Sequence, residues 1–186
     1  MKKLAAILAF VLVLLTFTAC GSAAYEKPMK NLMNAIINND PEKYCAAFVD
    51  PFYEEYLKDQ NKDLDDMDDI VKEYKSQVKE ISKQFKDSYG DNIKVKYEID
   101  RVRKFTKEDV TFLGEYLDEK FDYDAKAVKD VVVITGYTRI TGDEASEKEP
   151  FEEVMIKVNG KWYISFELGS LSAVKSAIES GSGIND

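Results

Sequence analysis

The sequence predicts an α+β domain in which N-terminal helices pack on an antiparallel sheet. Three observations carry that prediction. Apolar residues between Met67 and Phe85 recur in steps of three and four and stop before Gly90, the pattern of a long amphipathic helix. Asn159 and Gly160 stand between two alternating runs, a hairpin signal because both turn positions need positive φ. Helical patterns fill the first half of the 186 residues and strand patterns the second.

The chain opens with Met1, Lys2 and Lys3, an apolar run over residues 4–17, then Thr18, Ala19, Cys20 and Gly21. The run is shorter than the roughly 20 residues a bilayer-spanning helix needs, and it stops at small residues. This segment resembles a bacterial lipoprotein signal. The resemblance implies cleavage of residues 1–19, a diacylglycerol thioether on Cys20, and lipid anchoring on the extracytoplasmic face of the cell membrane. A short tether over residues 20–24 then leads into one domain over residues 25–179, with a frayed tail at 180–186. Removing the leader takes two lysines with it, so the formal net charge moves from −9 to −11. That balance argues against nucleic acid and against docking on an anionic lipid surface, both of which draw on clustered Lys and Arg.

Pro28 is expected to open the first helix, with Met29, Leu32, Met33 and Ile36 on its apolar face. Asp40 caps a second helix that starts at Pro41, and Asp50 before Pro51 bends the chain into a third. The long helix is expected over residues 64–89, with acids in its first turns and Lys86 in its last, as the helix dipole favours. Residues 93–102 alternate as a half-buried strand whose register changes at Asp100 and Arg101. Thr106 and Asp109 form a capping box for a helix carrying Leu113 and Leu117. Residues 128–141 contain Val131, Val132, Val133 and Ile134, apolar on both faces, and read as a central strand. Residues 141–150 read as a polar loop, residues 151–158 and 161–168 as the hairpin, and residues 170–179 as a last helix.

Chemistry is sparse. The chain has no histidine, which removes the commonest general base and metal ligand. Cys45 lies in an apolar helical stretch and reads as a small buried hydrophobe. The acids from Asp59 to Ile70 fail as an EF-hand loop, because Leu64 stands where glycine is needed and Ile70 where the bidentate glutamate belongs. They read as solvated charge, as do Asp118, Glu119, Asp122 and Asp124. No metal, cofactor or catalytic residue is assigned. The hairpin is apolar on both sides: Phe151, Met155, Trp162 and Ile164 on one, Val154, Ile156, Val158 and Tyr163 on the other. The second side is covered by a partner subunit, lines a pocket, or is covered by the chain itself. Alternation alone selects Tyr97, Tyr137, Arg139, Tyr163 and Glu167 as polar groups lining a cavity floored by the sheet.

The order of helix pair, long helix, strand, helix and three antiparallel strands resembles the nuclear transport factor 2-like superfamily, and more narrowly its Gram-positive lipoprotein members. Residues 35–40 and 44–48 match the N-terminal helix junction of that group. Gly160, Lys161, Trp162 and Ile164 match its closing hairpin. The resemblance implies a cone-shaped domain whose curved sheet is backed by helices; no catalytic pattern of its enzyme branches falls on this chain. Three functions stay open. One is a non-catalytic envelope module that binds a small molecule or an envelope protein. The second is a small lyase or isomerase with a tyrosine and a carboxylate in the cone. The third is an assembly subunit that forms a homodimer through its sheet.

Overall fold

A computed structural model describes residues 22–165 and 167–182. Residues 1–19, Cys20 and residues 183–186 lie outside the described residues. Among the described residues there are six α-helices and one four-stranded antiparallel sheet of order β1-β2-β3-β4, which is not closed. The elements are α1 (Ser22–Asn38), α2 (Pro41–Phe48), α3 (Pro51–Gln60), α4 (Met67–Tyr89), β1 (Lys94–Lys104), α5 (Lys107–Phe121), β2 (Val128–Thr141), β3 (Ser146–Val158), β4 (Lys161–Ile164) and α6 (Leu171–Ser182).

The caps act as the sequence requires. Asp40 accepts from the Lys43 N–H, Asp50 from Phe52 and Tyr53, and Asp66 from Asp68 and Asp69. Thr106 and Asp109 close a reciprocal capping box on α5. The β1–β2 register shifts between Ile99 and Arg101, and the hairpin pairs Lys157 with Trp162 and Met155 with Ile164. Asn159 and Gly160 take φ of 50° and 85° in its turn.

Five boundaries differ most from expectation. α1 already runs from Ser22, so Pro28 lies inside the helix and part of the expected tether is helical. Its ring removes one backbone hydrogen bond, and burial of Pro28 and Met29 offsets that loss. α4 starts at Met67 because Asp66 is its cap. β3 starts at Ser146 rather than at 151, because a four-residue turn brings it straight back along β2 from the pair Thr141 and Ser146. β4 ends at Ile164 rather than at 168: the Ser165 N–H still reaches the Val154 carbonyl, but the chain then turns, with the Leu168 N–H donating to Ser165 Oγ. α6 extends to Ser182, into the expected tail.

Helices cover both faces of the sheet. On one face Met29 and Leu32 of α1 pack on Val132, Ile134, Met155 and Ile164. On the other, Leu113, Leu117, Val174 and Ala177 of α5 and α6 pack on Val131, Val133, Val154, Ile156 and Val158. The apolar second side of the hairpin is therefore covered by this chain's own helices. α1 turns its far side, Ala35 and Ile36, to a helical core shared with α2, α3 and α4. Cys45 sits in that core without measurable exposure, and burial pushes its thiol up to about 11. The native chain is expected to resist maleimide labelling at pH 7.5 and to take one label at Cys45 only after denaturation, read by mass. Labelling at full rate without denaturant counts against this packing.

Candidate functional site

The sheet outruns its helical cover on the α5–α6 side. The Leu171 N–H at the start of α6 donates to Glu152 at 3.0 Å, and the rows beyond that contact belong only to β1, β2 and β3. Directly opposed residues share a face, and residues two apart along a strand share it too. Register therefore fixes the composition of this open face. One row is Lys94, Thr141 and Ser146; the next is Lys96, Arg139 and Lys148; the third is Glu98, Tyr137 and Pro150. Past the bulge, Arg101 and Arg103 oppose Thr135 and Val133 on the same side of the sheet; Val133 lies under α5 and α6, and Arg103 stands exposed beside it on the edge strand.

The middle row sets three cations side by side on adjacent strands about 4.8 Å apart. Like charges directly opposite one another destabilise a sheet. One carboxylate moderates them. Lys148 Nζ donates to Glu98 Oε2 at 2.5 Å, and Arg139 Nε lies 3.7 Å from Glu98 Oε1. The Lys148 hydrogen bond and charge, with Arg139 and Lys96 nearby, hold the Glu98 carboxyl below the usual range. Lys148 also lies 4.4 Å from the centre of the Tyr137 ring, which is 38% exposed. Lys94, Lys96, Arg101 and Arg103 make no ion pair among the described residues. Lysines on an edge strand such as β1 are an ordinary guard against aggregation. Arg139 lies on β2, flanked on both sides, where no such guard is needed; Lys148 lies on a stretch of β3 that β4 does not reach and so also stands at an edge.

The same register disperses the five residues selected from alternation. Tyr137 and Arg139 sit together on the open face. Tyr97 opposes Thr138 and points to the α1 side; its hydroxyl donates to the Met29 carbonyl at 3.3 Å and its ring packs edge-on against Phe151. Tyr163 pairs with Ile156 near the far end of the sheet, under Lys161 at 4.5 Å. Glu167 lies beyond β4, paired with Lys120 of α5. The five therefore do not share one surface, and Met29 and Leu32 of α1 pack against the sheet on the side that Tyr97 faces. Burial raises the Glu153 carboxyl there, and burial with the Glu153 charge raises Tyr97, yet Tyr97 is bonded to a backbone carbonyl rather than to that acid.

Lys96, Glu98 and Lys148 were not singled out by the sequence. The available signal was alternation of charge: Glu147 and Glu149 turn to the α4 side, where Glu147 accepts from the Tyr89 hydroxyl at 2.6 Å, while Lys148 turns away. A groove of about 390 Å³ opens elsewhere, between α3 and the end of α5. Its lysines are taken: Lys58 by Glu54, Lys62 by Asp59, Lys120 by Glu167. Among the described residues no group of three His, Cys, Asp or Glu side chains could hold a metal, and no helix is long and apolar enough to cross a membrane. Neither a family model, nor a curated protein, nor a solved structure matches this chain.

Proposed function

We propose that this chain is a lipid-anchored envelope lipoprotein with a nuclear transport factor 2-like domain, acting as a non-catalytic binding module through the open face of its sheet. The leader and Cys20 support the anchor. The element order from helix pair to closing hairpin supports the domain type. The observation that carries the binding reading is the row Lys96, Arg139 and Lys148, held at a cost in repulsion on a face that the chain's own helices leave open. The engagement of Tyr97 weighs against a lyase or isomerase built on it, since its hydroxyl donates to the Met29 carbonyl and its ring packs on Phe151. The apolar faces are already covered, which weighs against a dimer built on them.

Cells fed an alkyne analogue of palmitate are expected to label the wild-type chain and not Cys20→Ala, and the variant is expected to leave the membrane fraction. An intact leader with no lipid on the native protein overturns the anchor. A photocrosslinker in place of Tyr137 is expected to capture a partner in intact cells, whereas one in place of Lys83 on α4 is not. Absence of any adduct at position 137 overturns the binding face.

A further inference from the structure

We propose that the open face holds a linear polyanion, a flexible polymer of repeated phosphate or carboxylate groups laid along β1 and across the row of Lys96, Arg139 and Lys148. This rests on the binding reading above and names its ligand class. The first argument is charge. A chain of net charge −9 repels polyanions in general, so binding requires a surface where the balance reverses. Register supplies one: Lys94, Lys96, Arg101, Arg103, Arg139 and Lys148 share a face on which Glu98 and Glu152 are the acids.

The second argument is shape. From Lys94 to Arg103 is nine residues, about 30 Å along a strand. Cations spread over that length suit repeated charges better than a single small anion, and the open rows have no enclosing walls. The three strands make a face only about 10–15 Å wide, too narrow for the roughly 800 Å² per partner that a stable protein interface buries. The bulge is the third argument. Asp100 is the extra residue at the register shift, and past it Val102 turns to the α1 side while Arg101 and Arg103 stay exposed on the side of the sheet that carries the basic row. Without the bulge the alternation would put Asp100 and Val102 there instead. Tyr137 is the one aromatic of the open rows, so no stacking platform for bases exists, and the polymer is one without bases.

The test titrates the full-length chain, in neutral detergent, with inorganic polyphosphate, poly-L-glutamate and orthophosphate at several salt concentrations. Binding of one or both polymers is expected, with the preferred polymer identifying phosphate or carboxylate. The slope of log K against log salt is expected to be roughly −3 to −4, as for four to six neutralised charges. Arg139→Gln with Lys148→Gln should weaken binding at least tenfold, and Lys148→Arg should retain it. Lys79→Gln with Lys83→Gln removes the same charge from α4 and should leave affinity unchanged. Failure of both polymers to bind at low salt overturns the proposal, as does orthophosphate binding as tightly as a polymer, or an equal loss in the α4 pair. The position-137 crosslink separates the two levels: an adduct that proves to be a protein overturns the polyanion and leaves the binding face standing.

Discussion

Asp50→Asn is expected to stabilise the fold by roughly 2–3 kcal/mol at pH 7 and to leave it unchanged at pH 4. Asp50 is only 2% exposed, and its Oδ1 accepts the Phe52 and Tyr53 N–H groups at 2.9 and 3.0 Å at the start of α3. Burial raises its carboxyl from 3.8 to about 6, against the opposing pull of the two backbone hydrogen bonds. Between those values the folded chain keeps a proton that the unfolded chain has released. Stability must then fall as pH rises from about 4 to about 6, and the loss is complete above that window. Asparagine caps a helix as well as aspartate does and carries no charge to desolvate, so it removes the slope. Asp50→Ala should be less stable than Asp50→Asn at every pH by about 1–3 kcal/mol, since two buried N–H groups lose their acceptor. Urea unfolding of the three proteins from pH 4 to pH 8 measures this. Because Asp40, Asp69 and Glu98 titrate with the opposite sign, the difference between wild type and Asp50→Asn is the informative quantity. A difference that stays flat across that range would refute the assignment.

Asp50 also shows which parts of the molecule a sequence reveals. Its role as a cap before Pro51 is local, and local signals were legible: the caps at Asp40 and Thr106, the bulge near Asp100, the turn at Asn159 and Gly160, the period of α4. Its burial is not local, because that depends on which elements close over the start of α3. The candidate site fails to show for the same reason. Lys96, Arg139 and Lys148 are 43 and 9 residues apart along the chain, and they form a row only when the β1–β2 and β2–β3 registers are both known. A net charge of −9 hides such a face rather than revealing it. Residues 146–150 carry no apolar period, so they read as a loop, yet their backbone completes the ladder on β2 and their charges sort by face. Tyr97 and Tyr137 looked alike from alternation within their own strands. Pairing Tyr97 with Thr138 puts them on opposite sides of the sheet.

Gly136→Ala is expected to cost about 3 kcal/mol or more and to weaken polyanion binding without altering a single charge. Gly136 pairs with Ile99 beside the bulge, and a Cβ there would lie 2.0 Å from the Glu98 carbonyl oxygen and 3.0 Å from Ile99 Cα. Those atoms are backbone and cannot swing aside as a flexible side chain would. β2 is held on its other edge by β3, so the strand that must retreat is β1, the edge strand. Its retreat loosens the pairs Glu98 with Tyr137 and Lys96 with Arg139, and these are the pairs that build the open face. Gly160→Ala is the matched control: nothing lies within 4 Å of its Cβ, and its φ of 85° should cost only about 1 kcal/mol. Amide exchange along β1 should accelerate in Gly136→Ala and not in Gly160→Ala. If Gly136→Ala kept wild-type stability and slow exchange at Tyr97 and Glu98, the close approach of β1 to β2 at this point would be wrong. The register that assembles the basic row would then lose its footing.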